Sequence, residues 1–186
     1  MFFVAAQKGL RVAWHVSGHR VSHTEIRFVN SVSEMPRPPR SAPYLVCGFP
    51  GSGYVGKLAV DHLIQELHAK HLTDIYSSSF PPQVLIRTDG TADLMKNSIF
   101  FWESDDGAVS LLLLTGDSQP ANPDSEYALS EQILDFAGRL GCREVFTLAA
   151  YITGVFVDKP RVFGTATDPQ AVAGFAGHGV LAMDSG

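Results

Sequence analysis

The sequence predicts an α/β domain built on a mixed β-sheet. Three observations carry this expectation. An apolar strand runs through a glycine-rich turn into an amphipathic helix and on to another strand, a βαβ-like unit. Asp106-Gly107 sits between two strand-like runs, the mark of a tight hairpin, so part of the pairing must be antiparallel. A second helix follows with its own start and stop signals, and more strand-like segments come after it.

In chain order, Thr24–Asn30 alternates and reads as a strand. Pro36, Pro38, Pro39 and Pro43 then mark a loop, because proline donates no backbone hydrogen bond. Tyr44–Cys47 is a short buried strand. In the helix after it, Val55, Ala59, Leu63 and Leu67 recur every four residues, with Leu58 and Ile64 beside them. Thr73–Ser78 is the next strand, and Phe80-Pro81-Pro82 breaks it. Gln83–Arg87 reads as strand, Asp89-Gly90 as a turn, and Ser98–Glu103 and Val109–Leu114 as the arms of the hairpin. Asn122 suits an N-cap, Pro123 the first helical position, and Asp124 and Glu126 the positive end of the helix dipole. Leu129, Ile133, Phe136, Ala137 and Leu140 form that helix's apolar stripe, and Gly141 stops it. Glu144–Ala150 and Val162–Thr165 are strands, Asp168-Pro169 caps a short helix to about residue 177, and Gly179–Met183 is a last strand.

The chain has 186 residues, 45% hydrophobic and 18% charged, enough to bury one core. No apolar run reaches 18 residues. Cys47 and Cys142 lie in apolar stretches and read as reduced, buried thiols of a cytoplasmic protein. Residues 1–40 hold six Lys/Arg against two acids, while the rest hold eight against seventeen. An acidic body without a basic stripe argues against nucleic-acid binding.

Residues 1–23 contain no acid and follow no sustained period. They read as a tail or a misassigned start, and residues 24–186 as the domain. His15, His19 and His23 lie four apart without a helix signal around them and are not read as metal ligands. The chain stops just after a strand, so the domain is expected to be incomplete at its C-terminus.

Gly51, Gly53 and Gly56 match G-x-G-x-x-G between a strand and a helix, with Lys57 beside them. As a P-loop the motif lacks a Ser or Thr after the lysine, where Leu58 stands. As a dinucleotide fingerprint it lacks an acid at the end of the next strand, since Asp74 falls near that strand's start. The glycines therefore read as a sharp turn with close helix–sheet packing. If a nucleotide- or nucleoside-binding enzyme, ATP-grasp ligase-like or phosphorylase-like, were right instead, Gly51, Gly53, Gly56 and Lys57 would be its cofactor-binding residues.

Four segments carry a resemblance: Gly48–Lys57 (GFPGSGYVGK), Phe80-Pro81-Pro82, Leu114–Pro120 (LTGDSQP), and Gly154 with Lys159–Asp168 (KPRVFGTATD). In this order and spacing the chain resembles the archaeal and bacterial branch of the proteasome assembly chaperone family, from about residue 24 onward. The resemblance implies a three-layer α/β/α sandwich with a mixed sheet, similar to the phosphorylase/hydrolase-like fold. It implies ATP-independent binding of proteasome core α-subunits, with homo-oligomers or heterodimers, no cofactor and no catalysis. Some members end in a tail with a penultimate tyrosine that docks between α-subunits; this chain ends in Asp184-Ser185-Gly186.

The residues themselves add no convergent catalytic set. Asp117 reads as a turn carboxylate accepting backbone N–H groups. His62 and His68 fall on the polar face of the first helix. Lys57, placed where the helix dipole disfavours a cation, either faces solvent or has an acidic partner nearby. Phe80 is either an exposed anchor or tucked under the sheet edge. There is no G-x-S-x-G elbow, C-x-x-C pair or H-E-x-x-H.

Overall fold

A computed structural model describes residues 2–8, 25–29, 38–156 and 158–183. The strands are β1 (Phe2–Lys8), β2 (Ile26–Phe28), β3 (Tyr44–Gly48), β4 (Lys70–Ser77), β5 (Val84–Ile86), β6 (Ala92–Leu94), β7 (Asn97–Glu103), β8 (Ser110–Gly116), β9 (Glu144–Ala150), β10 (Val162–Ala166) and β11 (Val180–Ala182). The helices are α1 (Val55–Glu66), α2 (Pro123–Arg139) and α3 (Pro169–Gly174). Nine strands form one sheet in the order β11-β10-β1-β9-β3-β8-β7-β4-β2, and β5 and β6 pair separately. β3 lies between β8 and β9 and is parallel to both. β7 is antiparallel to β8 and to β4, so β4 runs the same way as β3. The sheet is mixed, as the hairpin signal required.

The helices cover opposite faces. α2 packs Leu129, Ile133, Phe136 and Ala137 against Leu45, Ile75, Ile99, Leu112 and Leu114, and this is the main core. Phe28 of β2 stacks on Phe136 at 5.0 Å between ring centroids. α1 lies on the other face, with Val60 fully buried. That makes three layers, α/β/α. α2 starts and stops where its caps say: the Asn122 side chain accepts from the Ser125 N–H at 3.0 Å, and Gly141 takes φ +81 beyond the last turn.

Two expectations are corrected. Phe2–Lys8, read as part of a tail, forms β1, paired to β9 on one side and β10 on the other. A strand held on both edges is defined by its ladders, and its own periodicity need not show it. Residues 9–24, with the three spaced histidines, lie outside the described residues. The strand read over Gln83–Arg87 is β5, and Asp89-Gly90 is its turn; β5 stands apart from the main sheet and pairs with β6, which the sequence did not mark. The inward face of α1 is also turned from the expected stripe. Gly56 and Val60 are its buried residues, and Leu58 is 60% exposed. A glycine contributes nothing to a hydrophobic pattern, yet here it is the point of closest packing.

Candidate functional site

β3, β4, β8 and β9 all point their carboxyl ends the same way. The loops leaving those ends therefore share one rim of the sheet, the usual place for function in an α/β domain. They are the glycine turn after β3, Ser78–Gln83 and the β5–β6 hairpin after β4, residues 117–122 after β8, and residues 151–161 after β9.

The glycine turn is built by backbone geometry. Gly53 takes φ +63 and Tyr54 φ +55, both left-handed, and α1 starts at Val55 with no side-chain cap. A Cβ on Gly56 would meet the Leu148 carbonyl, and one on Gly48 the Gly56 carbonyl, each nearer than the 3.0 Å that real Cβ atoms essentially never breach. The first turn of α1 thus lies directly on β3 and β9, and only glycine fits there. Gly51 is different: its backbone is extended and a Cβ would have room.

Lys57 has its partner. Its ammonium sits 3.0 Å from Asp61 one helical turn on and donates to the Thr115 hydroxyl at 3.2 Å. Thr115 in turn donates to Asp61 at 2.6 Å. Lys57 ties α1 to β8. Of the four residues named for a nucleotide, Gly53 and Gly56 have structural reasons, Lys57 is neutralised, and Gly51 has no steric requirement.

Beside this triad, across the β8–β7 register at Ser98–Thr115, lies a second polar group. Asp74 accepts from Lys96 at 2.6 Å and from Ser98 at 2.6 Å, and pairs with His71 at 2.8 Å. Burial alone would raise the Asp74 pKa, but the hydrogen bonds from Lys96, Ser98 and His71 outweigh it and hold the carboxyl below its ordinary value. Ser98 donates to the carboxylate and not to a histidine, so the group has no activated nucleophile. A depressed carboxylate adds stability above the pKa it has when unfolded, and that stability is lost as pH falls through the folded value. Asp74→Asn is therefore expected to cost about 2 kcal/mol near pH 7. The cost should shrink only as pH falls below the ordinary carboxylate range and through the depressed folded value, where the wild-type carboxyl takes up its proton. Urea melts at pH 7 and in strong acid, near about pH 2, check it; an equal loss at both would contradict the assignment.

Cys47 and Cys142 are free and buried. Burial, with Cys142 nearby, pushes the Cys47 thiol up to about 12, so it stays protonated. Asp117 accepts the Lys96 N–H at 3.2 Å and donates its own N–H to the Lys96 carbonyl at 2.9 Å, so its carboxylate closes the end of the β7–β8 ladder and not a turn of its own. Phe80 is buried in the core at 7% exposure, which settles it as packing. Among the described residues no group of three or more His, Cys, Asp or Glu could hold a metal ion. No helix among them is long and apolar enough to cross a membrane.

Three of the four sequence segments converge on the rim. The Gln119 side chain donates to the Pro50 carbonyl at 2.7 Å, joining the segment after β8 to the glycine turn. Ala121 N–H donates to the Ser79 carbonyl at 3.1 Å, next to Phe80-Pro81. A cleft of about 280 Å³ opens between the glycine turn and the end of β9, lined by Phe49–Ser52, Val55, Gly56, Gln119 and Thr147–Ala150 among others.

The model of the PAC2 family matches residues 45–184. The chain belongs to the PAC2 family. The family implied by the four segments is thus the family found. A crystal structure of Pyrococcus furiosus PbaB, an archaeal proteasome activator, is 34% identical with a TM-score of 0.76, over 87% of this chain and 68% of that one. Pyrococcus furiosus PbaA, an archaeal homolog of proteasome-assembly chaperone, shares the fold at 20% identity and a TM-score of 0.63, over 87% of this chain and 65% of that one. An uncharacterized protein of Methanocaldococcus jannaschii is 28% identical over 142 residues, 76% of this chain. The chain spans about half, 54%, of the length of that relative.

The PAC2 rim also gathers the exposed apolar side chains. Fifteen large hydrophobics are exposed among the described residues. Nine of them lie on the rim loops: Tyr54; Val84, Leu85, Ile86 and Leu94 of the hairpin; and Tyr151, Ile152, Val155 and Phe156. Neither group was singled out from the sequence. For the hairpin a signal existed in the alternation of Val84-Ile86 and Ala92-Leu94 about Asp89-Gly90. For the loop after β9 it was the apolar run around Gly154.

Proposed function

We propose that this PAC2-family chain is an ATP-independent assembly chaperone. It binds proteasome core α-subunits through the apolar rim, works in the cytoplasm as a homo-oligomer, and performs no catalysis. One observation carries the reading: nine of the fifteen exposed large hydrophobics stand on loops at one end of the sheet, where an enzyme of this architecture would place polar groups. The family, and the printed descriptions of PbaB and PbaA, support the choice of client.

The hairpin is the sharpest part of the rim. Val84, Ile86, Ala92 and Leu94 share one face of a two-stranded ribbon and are all exposed. Arg87 and Asp93 form an ion pair on the other face. An apolar ribbon face left in water favours a protein partner. The 186-residue chain should co-elute with folded α-subunits in the absence of nucleotide. Ile86→Asp, at a position 68% exposed, should weaken that binding at least about tenfold with the melting temperature unchanged. Binding that needs ATP, or no binding at all, would reject the reading.

A further inference from the structure

We propose that residues 117–121 form a strap that fixes the pose of the β5–β6 hairpin, with Asp117 as its positioning residue. The inference rests on the client-binding reading above only for what the hairpin is posed to do. A two-stranded ribbon alone in water is marginally stable, so its pose must come from how its two roots are held. Among the described residues β5 and β6 pair only with each other. A groove of about 480 Å³ runs beside the ribbon, lined by Val84 and Leu94 of the hairpin and by Arg27 and Tyr76 of the main sheet. The ribbon thus stands off the body of the domain.

Both roots end on the strap. At the entrance, the Ala121 N–H donates to the Ser79 carbonyl at 3.1 Å, beside the buried Phe80. At the exit, Lys96 is gripped from two sides. It lies one residue beyond the last β7–β8 pair, Asn97 with Gly116. Asp117 donates its N–H to the Lys96 carbonyl at 2.9 Å, and its carboxylate accepts the Lys96 N–H at 3.2 Å. The Lys96 ammonium reaches Asp74 of β4 at 2.6 Å. Between the two roots, Gln119 holds the Pro50 carbonyl of the glycine turn at 2.7 Å. Residues 117, 119 and 121 therefore each hold a different part of the rim. The strap is itself fixed. Gly116 leads into it so close to the fully buried Asn97 that a Cβ would collide with that side-chain amide, and the buried Ser118 donates to the Gln119 carbonyl at 3.0 Å. A contact surface held in advance loses less ordering entropy on binding, so a strapped hairpin captures a partner more tightly than a loose one.

Pulsed electron paramagnetic resonance reads the pose without any client, from nitroxides at Thr88→Cys in the hairpin turn and Glu131→Cys on the exposed face of α2. Cys47 and Cys142 are buried and take no label. With the native strap the distance distribution should be narrow. Asp117→Ala should widen it at least about twofold. Lys96→Met, which removes only the tie to Asp74, should widen it as well. Asp117→Asn keeps an oxygen that can accept the Lys96 N–H and should keep the distribution narrow. Gln119→Ala frees the glycine turn and should leave the hairpin distance unchanged. Asp117→Ala should also lower affinity for α-subunits about three- to tenfold, and Asp117→Asn should restore it. A broad distribution with the native strap overturns the proposal. So does a native width in both Asp117→Ala and Lys96→Met, a broad one in Asp117→Asn, or equal widening in Gln119→Ala. Where α-subunits bind, unchanged affinity in a widened Asp117→Ala chain overturns the positioning role. The two readings fail separately: Ile86→Asp tests client capture and leaves the distribution narrow, whereas the distances can be read on a chain that binds no α-subunit.

Discussion

Gly56→Ala is expected to unfold the domain or cost at least about 4 kcal/mol, a large part of the 5–15 kcal/mol typical of a folded protein. The added methyl would meet a backbone carbonyl of a sheet strand, Leu148, and not the end of a side chain that could turn away. Relief would need α1 to lift off β3 and β9, exposing Val60, which is now fully buried. Gly48→Ala makes the same collision from the strand side, against the Gly56 carbonyl, and should cost as much. Gly51→Ala, in extended backbone with room for a Cβ, should stay within about 1 kcal/mol of wild type. Gly53→Ala, at φ +63, should cost about 1–2 kcal/mol from the left-handed conformation alone. Urea titration of the four variants checks the ranking. A Gly56→Ala protein with a wild-type midpoint would mean that the motif serves something other than helix–sheet contact.

Phe136→Ala should lose about 3–5 kcal/mol, the usual cost of deleting a buried aromatic ring. Phe136 is 2% exposed at the centre of α2's apolar stripe, and Phe28 stacks on it with an interplanar angle of 14°. Phe28 is only half-buried, so Phe28→Ala should cost less, about 1–2 kcal/mol. The double variant should fall short of the sum by about 0.5–1.5 kcal/mol, the stacking shared by the two rings. Guanidine melts of the three proteins give the cycle. Strict additivity would show that β2 is not held to the core through this pair.

The split between what could and could not be read from the chain follows the range of the forces involved. α2 was legible to its ends because its caps and stripe are local: Asn122, Pro123 and Gly141 act on backbone groups within a turn. β3 and β8 were legible because buried strands need apolar runs. α1's buried face was not, because Gly56 writes nothing into a hydrophobic pattern. The hairpin return strand β6 is three residues long and its apolar side faces water, so no core pattern marks it. Lys57's partner was half legible: a cation at a helix start signals an acid nearby, and Asp61 stood one turn on.

The sequence by itself determined the α/β class, the two main helices with their caps, the buried thiols and, through four ordered segments, the family. Only the tertiary structure decided that the glycines press a helix onto two strands, that Lys57 and Asp74 belong to neighbouring polar ties across the sheet, and that nine exposed apolar side chains share one rim. The reason is physical. Caps, turns and stripes are set by neighbours a few residues away, whereas the rim exists because β3, β4, β8 and β9 run the same way, and strand direction within a sheet is settled by ladders between distant segments.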